Sequence, residues 1–139
     1  MHKLRNRRAF RAGTCVSVLT VILHALSCGL TKAEPVRIVA VGASNTWGWG
    51  VTNHNAFPAR LEALLRAKGI EAHVNSAGVI GDTTAGMLRR IDYAAPDGTE
   101  IVILQPGGND LRFFGTREQR EGNIAAIERR LRERGISLP

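Results

Sequence analysis

Three short segments hold residue types that can do chemistry together: Gly42-Ala43-Ser44-Asn45, the stretch Gly78-Val79-Ile80-Gly81-Asp82-Thr83, and Gly107-Gly108-Asn109-Asp110. A serine beside Gly-rich turns and an amide side chain is an inventory for acyl transfer. It supplies a hydroxyl nucleophile, free backbone N–H groups and a polar amide to receive a developing oxyanion. Taken singly, each segment reads equally well as a plain turn or helix cap, because Gly, Ser, Asn and Asp are turn formers. A phosphate cradle fits the glycines poorly, since no Gly-Lys-Ser/Thr follows them and no acidic ribose partner is in place. Asp82 and Asp110 belong to separate loops without an accompanying His, so no metal cluster is expected.

These segments must be positioned by what precedes them, and each follows a strand-like run. Val36–Val41 is nearly all apolar, Ala72–Asn75 is a short second strand, and Ile101–Leu104 reads as a buried strand. Helical patterns alternate with them. Phe57, Leu61, Leu64 and Leu65 form one stripe, with Pro58 in the first turn and Gly69 as the stop. Thr83 or Thr84 can cap a helix presenting Met87, Leu88 and Ile91, and Thr116 with Gln119 forms a capping box before Ile124, Ile127 and Leu131. This βα alternation builds a parallel sheet with helices on both faces, and in such sheets ligands gather at the carboxyl ends of the strands. All three polar segments fall there. Gly135–Pro139 reads as a helix stop and the start of a fourth strand, leaving the edge beside Leu104 bare.

The chain has 139 residues and a formal charge of +7, but the charge is concentrated at the front. Residues 1–33 hold six basic groups and no acid, which leaves 13 basic against 12 acidic groups in residues 34–139. A nearly neutral body with 5% aromatic residues offers little to nucleic acid, and no nucleic-acid partner is expected. The front reads as an export leader: a basic stretch to Arg11, an apolar run from Cys15 to Leu30, then Thr31-Lys32-Ala33 as a cleavage site. The expected organisation is a signal peptide over residues 1–33 and one domain over residues 34–139, periplasmic or secreted, meeting the membrane only through an uncleaved leader. Cys15 and Cys28 both lie in the leader, so the mature body has no thiol for disulfide, nucleophilic or zinc chemistry.

The order and spacing of the three loops resemble the SGNH (GDSL-type) hydrolase family, in particular its bacterial exported arylesterase and lysophospholipase/thioesterase branch. Gly42-Ala43-Ser44-Asn45 is similar to the block carrying the nucleophile, with Ala43 in place of the usual Asp and Asn45 in place of the usual Leu. The resemblance implies that Ser44 is the nucleophile. It further implies an oxyanion hole from the N–H groups of Ser44 and Gly81 and the side chain of Asn109. It implies no cofactor and a small-molecule ester or thioester as substrate. The implied fold is α/β, a flavodoxin-like three-layer sandwich, here incomplete with about three strands. The family's Asp-x-x-His block has no counterpart in this sequence. His54 and His73 are the histidines of the body, and neither follows an Asp by three places. The expectation is therefore a truncated hydrolase domain, impaired in turnover, the alternative being a non-catalytic remnant or ligand-binding module that keeps the pocket.

Overall fold

The computed structural model describes residues 33–113 and 115–139; the expected leader lies, apart from Ala33, outside them. Three strands, β1 (Val36–Gly42), β2 (Ala72–Gly78) and β3 (Ile101–Gln105), form one parallel sheet in the order β2-β1-β3. The helices are α1 (Ser44–Trp47), α2 (Phe57–Ala67), α3 (Thr84–Ala94), α4 (Asn109–Arg112) and α5 (Arg117–Glu133), with a 3-10 turn at Asn53–Asn55. This is the α/β sandwich expected from the βα alternation. Among the described residues, no helix is long and apolar enough to cross a membrane.

The apolar run of β1 follows from its central place, because alternate side chains point to opposite faces and both faces are covered. Val39 and Val41 meet Val102, Met87, Ile91, Ile127 and Leu131, which places α3 and α5 on one face. Ile38 meets Ala72, Val74, Leu61 and Leu65, which places α2 on the other. The capping residues act as their spacing predicts. The Thr83 hydroxyl accepts from Gly86 N at 3.2 Å. The Thr116 hydroxyl accepts from Gln119 N at 3.2 Å while the Gln119 side chain accepts from Thr116 N at 3.0 Å.

Three departures from the sequence expectation have local causes. First, β2 continues through Ser76-Ala77-Gly78, residues of low strand propensity, because β1 offers a ladder partner as far as Gly42↔Gly78. Second, α2 turns Pro58, Leu61 and Leu65 toward the sheet and leaves Leu64 57% exposed. Third, the expected fourth strand amounts to one parallel bridge, Ile101↔Ser137. Ser137 N donates to Glu100 O and Val102 N donates to Ser137 O, both at 2.9 Å, so one end of the β3 edge is covered. At the opposite edge of the sheet, Val74 N donates to the Glu62 carboxylate at 2.9 Å, which blunts β2. That bond, with Arg66 adding to it, holds the Glu62 carboxyl below its ordinary value.

At Gly78 the backbone of α1 lies directly against β2. A Cβ there would lie 2.1 Å from Trp47 N and 2.6 Å from Thr46 C, both backbone atoms that cannot swing aside. Gly122, exposed within α5, has open space around the same position. Gly78→Ala is expected to cost about 2–3 kcal/mol through forced backbone movement, whereas Gly122→Ala should stabilise by about 0.5–1 kcal/mol through helix propensity. Urea unfolding midpoints read both, and opposite signs are the expected result.

Candidate active site

The three polar loops leave the same end of the sheet. β1 ends at Gly42, Ala43 is the cap residue before α1, and Ser44 is the first residue of that one-turn helix. The Ser44 carbonyl accepts from Gly48 N and Trp49 N at 3.0 and 2.9 Å, which closes the turn. Thr46, fully buried, ties the turn to both neighbouring strands. Its hydroxyl donates to Gln105 Oε1 at 2.6 Å, and its carbonyl accepts from the Ser76 hydroxyl at 2.9 Å. Ser44 is thus half-buried on a turn anchored from two sides.

Gly81 stands in the loop after β2 at φ +78°, a left-handed conformation that glycine adopts without cost. Asp82 follows and links all three loops. Its carboxylate receives Arg90 Nε at 2.8 Å and Thr83 N at 3.0 Å. Arg90 Nη2 in turn donates to the Gly42 carbonyl at 3.2 Å. The Asp82 carbonyl accepts from Asn109 Nδ2 at 2.8 Å. An amide nitrogen carries two hydrogens, so one fixes the Asn109 side chain and the second remains to donate.

Asn109 opens α4, and the next residue holds that helix in place. Asp110 is buried, and its carboxylate accepts from Thr84 N at 3.0 and 3.2 Å and from the Thr84 hydroxyl at 2.6 Å. Asn123 Nδ2 donates to the same hydroxyl at 3.1 Å, bringing in α5. A carboxylate at the N-terminus of α3 is well matched to the unpaired N–H groups there. Asp110, open as a turn or cap by sequence, caps a helix 26 residues away instead of its own.

Ser44, Gly81 and Asn109 line one cleft of about 370 Å³, together with Trp49, Ile80, Arg112 and Phe113. Ser44 and Asn109 also border a smaller hollow of about 130 Å³ between the first and third loops. A larger hollow of about 560 Å³ lies next door over Asp110, Gln119 and Asn123, but Ser44 is not in its wall, so size does not identify the reactive cleft. The two tryptophans beside Ser44 are divided. Trp49 joins the Ser44 cleft, while Trp47 lines a separate hollow with Pro58, Val74 and Gly78, the ring centroids being 6.3 Å apart. His54 lies exposed in the 3-10 turn with Nε2 3.2 Å from the Thr52 hydroxyl, and His73 is exposed on β2; neither lines the cleft. No group of three His, Cys, Asp or Glu side chains poised for a metal occurs among the described residues.

A parallel α/β sheet that delivers a serine, a positive-φ glycine and a tethered asparagine to one cleft defines a hydrolase-type scaffold of the SGNH kind. The chain belongs to the GDSL-like Lipase/Acylhydrolase family, whose model matches residues 40–138. It is 28% identical over 108 residues to Esterase TesA of Pseudomonas aeruginosa, a match covering 77% of this chain and 54% of that protein. Among solved structures it is similar to AlinE4, an SGNH-hydrolase family esterase, at 38% identity and a TM-score of 0.70, covering 76% of this chain and 57% of that one. The crystal structure of TesA superposes with a TM-score of 0.68 at 27% identity, covering 73% and 57%. The chain therefore spans little more than half the length of these relatives.

Arg90 was not among the residues singled out by sequence, and Asp110 was read there as a turn or cap without its role in anchoring α3. No local signal marks them, since their partners Gly42 and Thr84 lie 48 and 26 residues away.

Proposed function

We propose that this chain is an exported hydrolase of carboxylic esters or thioesters that works through Ser44. The Ser44 hydroxyl oxygen attacks the acyl carbon, and the carbonyl oxygen takes up the negative charge. The N–H groups of Ser44 and Gly81 and the free hydrogen of Asn109 Nδ2 receive that charge, and donors fixed before the reaction stabilise it without reorganisation cost. The observation that carries this reading is the convergence of the three loops on one cleft, with Asn109 held at 2.8 Å from the Asp82 carbonyl. Aryl esters and lysophospholipids are the substrates that the family branch suggests.

Attack also requires a base to take the Ser44 proton. Neither described histidine stands at the cleft, and this favours a second reading in which residues 34–139 hold the pocket but turn over poorly. Hydrolysis of p-nitrophenyl acetate with and without a supplied Asp-x-x-His segment separates the two. Failure of such a supplemented protein to acquire Ser44-dependent turnover would overturn the hydrolase reading.

Residues 1–33 serve as the export leader in this proposal. Protein recovered from the periplasm or medium of the exporting cell is expected to begin at Glu34. N-terminal sequencing that returns Met1 on the exported protein would remove the leader from the account.

A further inference from the structure

The cleft that holds Ser44 has three large apolar side chains and one charge in its wall. Trp49, Ile80 and Phe113 line it and are 65%, 46% and 54% exposed, so their surfaces are available to a ligand. Among the described residues lining it, Arg112 alone carries a charge. Arg112 closes the one-turn helix that Asn109 opens, and positions three apart lie on the same side of a helix. Phe113 N donates to Asn109 O at 2.9 Å, so the phenylalanine is tied to the asparagine through the backbone.

The nearby carboxylates are already engaged. Asp110 accepts three hydrogen bonds from Thr84 and is buried, and Asp82 is paired with Arg90 at 2.8 Å. Arg66 and Arg132 meet carboxylates one turn away, and Arg130 and Arg134 meet Asp92. Arg112 meets none among the described residues, and it stands at the cleft. A guanidinium is a planar fork matched to two oxygens of a carboxylate or phosphate. A volume of about 370 Å³ lies at the small end of ligand-sized clefts.

We infer that Arg112 makes this cleft selective for anionic esters, substrates carrying a carboxylate or phosphate a few bonds from the scissile carbonyl. The intervening chain lies against Trp49, Ile80 and Phe113. The inference rests on the reading of Ser44 as the ester-binding centre. It adds that a neutral ester of the same length binds more weakly than its singly charged counterpart.

The test reads binding without turnover, in the 139-residue chain carrying Ser44→Ala and Trp47→Phe. The sequence contains two tryptophans, so Trp49 is then the sole tryptophan emitter and it lines the cleft. Monomethyl adipate is titrated against dimethyl adipate, and hexyl phosphate against hexanol. Monomethyl adipate is expected to bind about fivefold more tightly than the diester, the size of one exposed, charge-assisted contact. The advantage should shrink toward unity at about 1 M salt, where charges are screened within ~3 Å. Arg112→Gln should abolish it, so that the two adipates bind that variant equally, and Arg112→Lys should keep part of it. A larger advantage for hexyl phosphate over hexanol assigns the anion to a phosphate, and a larger one for the monoester assigns it to a carboxylate. Equal affinity for the two adipates, an advantage that survives Arg112→Gln, or no Trp49 response to any of the four compounds overturns the inference. The Ser44 reading is judged separately, by turnover of neutral p-nitrophenyl esters in the protein supplied with an Asp-x-x-His segment.

Discussion

Residues 34–139 alone should hydrolyse p-nitrophenyl acetate barely above buffer, and Ser44→Ala should change that rate little. The Ser44 hydroxyl is a weak nucleophile at neutral pH unless a base takes its proton, and loss of the base in serine hydrolases costs on the order of 10⁴–10⁶ in kcat. In the proposed mechanism the oxyanion donors remain, but a triad acts as a unit, so donors without a base leave little for Ser44→Ala to remove. Joining the Asp-x-x-His segment of a family relative after Pro139 should restore turnover. In that fusion Ser44→Ala should lower kcat by about 10⁴-fold or more. Asn109→Ala should lower it by about 10²–10³-fold, the usual cost of one oxyanion donor. Steady-state rates on these five proteins decide the matter. Strong Ser44-dependent hydrolysis by residues 34–139 without the fusion would mean that His54, or a histidine of a second subunit, acts as base, contrary to their placement here.

Asp110→Ala should be the most destabilising single substitution near the site. Its carboxylate is buried and satisfies both the backbone N–H and the hydroxyl of Thr84. Removing it leaves two buried donors unpaired, each worth about 1–3 kcal/mol, for a total near 4 kcal/mol. A domain of this size has roughly 5–15 kcal/mol in all, so the urea midpoint should fall by between about a quarter and most of its value. Asp110→Asn keeps an acceptor and should cost less than half as much. Its second effect is the more telling one. In the fusion enzyme it should lower kcat with little change in KM, because the helix that carries Asn109 is no longer held against α3. Urea melts and steady-state kinetics read the two effects, and an Asp110→Ala melt that matches the parent protein would show that the Thr84 contacts contribute nothing.

The features that could be read without coordinates are those whose cause lies within a turn or two of chain. The capping threonines Thr83 and Thr116 bond to residues three positions on. The apolar run of β1 signals a strand covered on both faces, and both core clusters draw on it. The order of the three loops was enough to suggest the family, and the match over residues 40–138 supports that resemblance. Ser44, Gly81 and Asn109 could be named as candidates because the loops that carry them resemble the family's blocks in order and spacing. Their meeting in one cleft could not be measured from spacing.

The remaining features depend on strand order. Only when β1 lies between β2 and β3 does Thr46 reach both Gln105 and Ser76. The same order lets Arg90 bridge Asp82 and Gly42 and lets Asp110 cap α3 from the far side of β3. It also extends β2 to Gly78, against the propensity of its last residues, and rotates α2 so that Leu64 faces solvent. Sequence periodicity encodes which side of an element is apolar, because a side chain's direction repeats with the local backbone. It does not encode which element stands opposite, because pairings across 26 to 59 residues are fixed by the packing of the whole sheet and its helices. The sequence thus determined the strands, the helices, their caps and the reactive residue types. The tertiary structure alone decided which loops meet, which carboxylate anchors them, and which of the two tryptophans faces the serine.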